Sequence, residues 1–368
     1  MEISVGRQTI LTELNLLQGV VERKTTIPIL TNVLIEATGQ SELSLIATDL
    51  DVSLQTECAA QVSQPGSVVV QAKKLFDIVR NLPDSDIAFK KEDADWVKIT
   101  CGSSRFRIVG HAREHFPSTP QASKAGIRIP SDMLHSLITR TMFAITQEES
   151  RYALGGALVH ISGSEALMVA TDGHRLALSS CAVEEQGEEI RAIIPRKALS
   201  ELQKLTAATP DSVAEFSKDE NHLFFKIGSR RLTSRMLTGQ FPNQDLVIPK
   251  NNDKMLKCGL DKISQAIRRA ALMADERSRG VTLEFEDGAV TITSKTADLG
   301  ESREVVQVDY NSEKVAVRLN ASYLLEFFGV VDTENILFEI KDDQTPVLIR
   351  PDEGSKYKYK YIVMPMRL

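Results

Sequence analysis

One layout of landmarks recurs along this chain, and the recurrence restricts the fold to a set of like units. LIATDLDVSL at 45–54 returns as MVATDGHRLAL at 168–178, placing Thr48-Asp49 and Thr171-Asp172 123 residues apart. QAKKLFDIV at 71–79 returns as PRKALSEL at 195–202. RFRIVGHAREHFPSTP at 105–120 returns as RRLTSRMLTGQFPNQD at 230–245, with Phe116-Pro117 and Phe241-Pro242 separated by 125 residues. A fainter third copy carries LNASYLLEFF at 319–328. Ordered landmarks at near-constant spacing mark internal repetition. A chain of 368 residues then holds three domains of roughly 120 residues, expected at 1–122, 127–248 and 253–368. Three like units suit an assembly scaffold better than a single-pocket enzyme.

Hydrophobic periodicity gives each unit two helices among many strands. In the first unit, helices are expected at 7–18, with Ile10, Leu11, Leu14 and Leu17 on one stripe, and at 72–80, with Leu75, Phe76 and Val79 inward. Strands are expected at 3–5, 32–37, 42–48, 52–58, 67–70, 86–90, 96–100 and 105–109, several alternating apolar and polar. The second unit offers helices at 131–145 and 196–205 and strands at 156–162, 166–171 and 175–180. The third offers helices at 260–273 and 321–329 and strands at 279–285, 289–294, 304–310, 334–340, 345–350 and 359–364. Polar stretches at 119–126 and 248–256 read as linkers. Strand-rich units without strict strand–helix alternation make the fold class α+β, mostly antiparallel, three times over.

Bulk properties narrow the function. Cys58, Cys101, Cys181 and Cys258 stand singly without a CxxC pair, which disfavours a zinc site or disulfide framework and suits reduced, cytoplasmic surroundings. The N-terminus has no apolar signal core and no stretch is long enough to span a bilayer. A net charge of −6 argues against a conventional nucleic-acid binder. The charge is uneven, however: the expected helices at 72–80, 196–205 and 261–273 each carry a net +2. Two readings stay open for them, solvated helix faces or a weak, non-specific surface for a polyanion.

No phosphate-binding, dinucleotide, zinc-protease or serine-hydrolase motif occurs, and no cofactor is expected. The Thr-Asp pairs read as turns in which Asp accepts backbone N–H groups, since a catalytic site need not recur once per unit. His111 and His115 lack a third metal ligand. His174, set against Leu50 of the first unit, reads as a partner-binding residue or a solvated loop histidine. The apolar chain end, with Met364 and Met366 flanking Pro365, reads as a final strand or as an adaptable binding surface.

TIPILTNVLIEA at 26–37, ATDGHRLAL at 170–178, GQFPNQDLVIPK at 239–250 and YIVMPMRL at 361–368 closely resemble bacterial DNA polymerase III beta subunits, the replicative sliding clamps. The resemblance spans the chain. It implies a non-catalytic ring of two head-to-tail copies around duplex DNA, with helices lining the hole and sheets outside. It places DNA contacts at Lys24, Lys73, Arg80, Tyr152, Arg196 and Lys197. For the dimer contact it implies Lys74, Arg105, Phe106 and Ile108 facing Leu272, Met273, Asp298, Glu301 and Glu304. A client-peptide groove accepting QLxLF-type segments would comprise Leu154, Thr171, Gly173, His174, Arg175, Leu176, Pro242, Val247, Asn320, Tyr323, Pro346, Ile362, Val363, Met364, Pro365 and Met366. Implied clients are the replicative polymerase alpha subunit, the clamp-loader delta subunit, translesion and repair polymerases, mismatch-repair proteins and ligase, in the cytoplasm at the nucleoid. Lys24, Ala153, Leu246 and Ser278 depart from the family pattern at the DNA face and groove rim. A clamp-like scaffold with a repair or inhibitor-resistance role, and an unrelated enzyme, are the alternatives.

Overall fold

The computed structural model describes residues 1–22, 25–148, 150–296, 298, 300–352 and 356–367, and the side chains of all of these except 185–187. The chain packs as two compact units, Met1–His135 with Lys197–Met236, and Ser136–Arg196 with Leu237–Leu368. Each unit draws on two of the repeated stretches because the sheets run on from one stretch to the next.

In the first unit, a nine-stranded antiparallel sheet joins strands of the first and second stretches. The join is the pairing of Arg230–Arg235 with Val52–Ala59, Leu232 lying opposite Leu54. A second sheet of five strands ends at Ser104–Ile108. In the second unit, a six-stranded sheet joins Arg175–Pro195 to Lys358–Val363, with Leu176 opposite Ile362. A four-stranded sheet there ends at Gly300–Gln307. Ser104–Ile108 and Gly300–Gln307 are both edge strands.

The helices are α1 (Arg7–Leu17), α2 (Ala72–Asn81), α3 (Ser131–Thr141), α4 (Arg196–Ala208), α5 (Leu260–Ala270) and α6 (Ala321–Phe328). Their apolar spacing explains their seats. On α5, Ile263, Ala266, Ile267 and Ala270 recur at one-face intervals and are buried, while Lys262, Arg268 and Arg269 remain exposed. On α1, Glu13 departs from the pattern: it is buried and accepts from Arg230 at 2.8 and 3.1 Å, so an ion pair sits among apolar neighbours. Among the described residues no helix is long and apolar enough to cross a membrane.

Several expectations needed adjustment. The helices expected to end at 145 and 273 stop at Thr141 and Ala270 and tighten into the 3-10 turns Met142–Ala144 and Ala271–Met273. Strands expected at 156–162 and 166–171 form one element, Gly156–Thr171, whose register shifts around Gly163, where φ is +56°. The linker expected at 248–256 is shortened by the strand Lys254–Gly259. His111 lies in a two-residue strand and His115 in a 3-10 turn, so they do not share a helix face. Cys101, Cys181 and Cys258 are buried and Cys58 is half-buried. Burial pushes the thiol of Cys58 up to about 11 and that of Cys258 up to about 12.

Candidate functional site

The two Thr-Asp turns are built alike. Asp172 Oδ1 accepts from the backbone N–H groups of His174 and Arg175 at 2.9 and 3.0 Å. Asp49 Oδ1 accepts from those of Asp51 and Val52 at 2.9 and 2.6 Å. Thr171 and Thr48 each accept from the residue two further on, at 3.1 Å in both turns. These contacts bear out the structural reading of the pairs. They also correct one equivalence: Gly173 (φ +89°) matches Leu50 (φ +80°), so His174 matches Asp51.

Leu50 shows that this left-handed backbone tolerates a side chain, so Gly173 answers a second demand. A Cβ there would lie 2.5 Å from Nη1 of Arg151; that Nη1 donates to the Asp172 carbonyl at 2.6 Å, while Nε pairs with Glu148 at 3.1 Å. Arg151 thus braces the turn that carries His174, a role that residue spacing gave no sign of. Gly173→Ala should cost roughly 1 kcal/mol of stability, and less in an Arg151→Ala background. A calorimetric double-mutant cycle checks this, and additive costs would contradict it.

Cross-strand register gathers an apolar floor beside this turn. Leu176 lies opposite Ile362, Ile362 opposite Leu348, and Leu178 opposite Val169. Leu158, Ile193 and Phe241 complete the buried cluster, with Ala153, Leu154, Leu237, Val247 and Ile248 packed partly buried against it. Leu154, Leu176, Val247 and Ile362 were expected there; Phe241 and Leu348 were missed, although the Phe-Pro landmark was in view. Leu246, next to Val247, is 84% exposed. At the chain end, Met364 donates its N–H to the His174 carbonyl at 2.9 Å, and Met366 donates to Arg318 at 2.8 Å. The Met364 side chain is exposed and held beside the turn; Pro365 and Met366 are half-buried. Val363 pairs with Arg175 and Val347, which brings the adjoining Pro346 near the tail. Pro242 is exposed.

Other expected groove residues have internal duties. Arg175 is buried, bonded to Asp172 at 3.0 Å, to Glu326 at 2.5 Å and to the Phe143 carbonyl at 2.8 Å, and it stacks on Tyr323 at 4.2 Å. It is a strut behind the apolar floor instead of an offered cation. Asn320 caps α6 by accepting from the N–H groups of Ser322 and Tyr323. His174, Arg175 and Tyr323 line a separate cleft with Phe143, Glu148 and Arg196.

Among residues expected at DNA, Lys73 and Arg80 are exposed seven positions apart on α2 and line a cleft with Asn15 and Gln18 of α1 and its C-cap. Tyr152 is 60% exposed. Arg196 is half-buried and donates to the Ile145 carbonyl at 3.4 Å. Lys197 is paired with Asp49 and with Glu22 (3.1 Å). Burial disfavours its charge, but these carboxylates outweigh that and raise its pKa. Its first duty is therefore to hold the Asp49 turn. Lys24 lies outside the described residues.

Of the residues expected at a dimer contact, Arg105 and Phe106 are exposed and Ile108 half-buried on their edge strand. Leu272 is 73% exposed and Met273 half-buried. Lys74, Asp298 and Glu301 are exposed. Glu304 is already bidentate with Arg269 of its own chain, at 3.0 and 2.5 Å, which removes it from the free carboxylates expected there.

Family models for the DNA polymerase III beta subunit match this chain end to end: the N-terminal domain at residues 1–120, the central domain at 128–243 and the C-terminal domain at 245–367. The beta sliding clamp of Pseudomonas aeruginosa is 33% identical over 371 residues, and that of Caulobacter vibrioides 36% identical over 379, with both chains covered completely in each case. The crystal structure of the Pseudomonas aeruginosa DNA polymerase III subunit beta superposes with a TM-score of 0.94 at 33% identity over 100% of both chains. Repeated antiparallel sheets with few helices, matched in this way, define a DNA clamp. The chain belongs to the DNA polymerase III beta subunit family, the bacterial beta sliding clamps. It is a processivity factor, a non-catalytic subunit of the polymerase holoenzyme, and polymerase activity is the property of that assembly.

Proposed function

We propose that two copies of this chain close head to tail around duplex DNA, with domains at 1–122, 127–248 and 253–368, and tether the cytoplasmic replication machinery through the apolar groove. The observation that carries this reading is the pair of unlike edge strands. Within the chain, the strand after one Thr-Asp turn pairs with the final strand of the next repeat: Leu54 with Leu232, then Ala177 with Tyr361. Leu232 and Tyr361 are fully buried. The hairpin turns Gly102-Ser103 and Gly228-Ser229 make Phe106 the counterpart of Leu232. Gly300–Gln307 is the third strand of the donor type, and among the described residues no strand pairs with its outer edge. Ser104–Ile108 of a second copy supplies it, covering both edges. Arg105 and Lys74 then face Asp298 and Glu301, while Leu272 and Met273 meet Phe106 and Ile108.

Lys73, Arg80, Tyr152 and Arg196 serve non-specific phosphate contact, which enclosure allows to remain weak. The groove of Leu154, Leu176, Val247, Ile362 and Met364 suits a peptide's Leu and Phe side chains. A related clamp from Caulobacter crescentus, TM-score 0.92 at 34% identity, was crystallised with PEG at a proposed beta-motif tethering region, which favours such a groove. Polymerase alpha subunit, clamp-loader delta subunit, translesion and repair polymerases, mismatch-repair proteins and ligase would compete for it. Retention on nicked circular DNA before and after linearisation tests enclosure. Protein loaded on circles should be released once a free end exists; equal retention on linear DNA overturns the reading.

A further inference from the structure

The sheet face that carries the apolar floor has a counterpart in the first unit, and the registers match the two position by position. In the second unit Leu176, Ile362 and Leu348 lie side by side, with Leu178 opposite Val169. Counted from the other Thr-Asp turn, the same steps give Ser53 opposite Thr233, Thr233 opposite Phe224, and Gln55 opposite Ile46. The Phe-Pro landmarks agree, since Phe116 packs on Ile46 as Phe241 packs within the cluster containing Val169. Three of five apolar floor positions have therefore become Ser53, Thr233 and Gln55.

The substitution leaves an open cleft. Ile46, Ser53, Gln55, Phe224 and Thr233 line a space of about 160 Å³ beneath the segment around Ala122 and Lys124. Gly126 lets that segment descend onto the neighbouring strand, because a Cβ there would stand 2.7 Å from the Phe216 carbonyl. Such a volume accepts one side chain of leucine size. Lys124 and Lys226 are exposed at the walls. Arg231 is neutralised by Glu57 at 2.6 Å, which leaves Glu215 as the acidic wall residue against two lysines.

We propose that this cleft is a second peptide site on each chain, selective for an extended acidic segment. Ser53 is bonded to Thr48 at 2.7 Å, Thr233 donates to the Pro120 carbonyl at 3.5 Å, and the Gln55 amide donates to Ser44 and Glu57 at 3.2 and 3.3 Å. One medium apolar side chain therefore rests on Ile46 and Phe224, flanking carboxylates meet Lys124 and Lys226, and the oxygens of Thr233 and Gln55 accept from the peptide's N–H groups. A Leu/Ile floor offers no such bonds, so the two sites select opposite peptides. The site stands on the first unit's geometry and survives failure of the groove reading.

The test is an amide NMR titration of the full-length protein with acetyl-Asp-Leu-Asp amide, the lysine-flanked analogue and acetyl-Gln-Leu-Ala-Leu-Phe amide. The acidic peptide should give saturable shifts at Ser53, Gln55 and Thr233 with a Kd of about 1 mM or tighter. Lys226→Glu, a surface change, should weaken it about fivefold. Ser53→Leu with Thr233→Ile, which copies the apolar floor, should abolish it. Lack of saturation, equal binding of the lysine peptide, or shifts confined to Leu176 and Ile362 would overturn the proposal.

Discussion

A chain carrying Leu272→Glu and Met273→Glu is expected to sediment as a folded monomer at concentrations where the unaltered chain is a dimer. Leu272 already stands 73% exposed in the single chain, so replacing it disturbs little that folding buries. Its cost falls on association. Burying a Leu or Met side chain is worth roughly 1.5–3 kcal/mol, and an unpaired carboxylate in its place must also be desolvated. A head-to-tail dimer has two such contacts, so the loss exceeds roughly 6 kcal/mol, more than about 10⁴-fold in the dimer's dissociation constant. Sedimentation velocity with circular dichroism separates the outcomes. An unchanged dimer removes these residues from the contact, and an unfolded monomer shows that they serve the fold.

Removing 364–368 should abolish binding of a QLxLF-type peptide, by about a hundredfold or more, and leave the dimer intact. The strand Lys358–Val363 ends before the deletion, so its pairing with Arg175–Pro195 and Val347–Pro351 survives. What goes is the tail that bonds the carbonyls of His174 and Arg318 and holds Met364 beside the turn. Methionine suits such a position, since its unbranched thioether repacks around differing side chains. Fluorescence anisotropy with a labelled peptide reads the effect; affinity retained within about threefold would move the groove elsewhere.

Much of this was legible beforehand because it is written locally. The helices were visible from residues three and four apart, and Thr48-Asp49 and Thr171-Asp172 advertised turns that close within four residues. Short strands escaped for the opposite reason. Gln61–Gln64 and Gly110–His111 carry too few residues for alternation to register, and Lys254–Gly259 was masked by the polar run Asn251-Asn252-Asp253 before it. The site was half legible. Leu176 and Ile362 followed from the family likeness, but the commitments of Arg175, Lys197 and Glu304 depend on partners brought together only by folding. Glu326 lies 151 residues from Arg175, and Glu22 lies 175 from Lys197. The family likeness therefore assigned outward roles to side chains that the fold engages within the chain.

The two open strands, Ser104–Ile108 and Gly300–Gln307, have a consequence for mixed populations. In the proposed ring, damage at one end leaves the other competent, so a chain spoiled only at Leu272 and Met273 should still mate once with a sound chain. That pairing consumes a good subunit in an assembly that never closes. Such a variant should poison unaltered protein in proportion to its abundance, whereas a chain blocked at both ends would be inert.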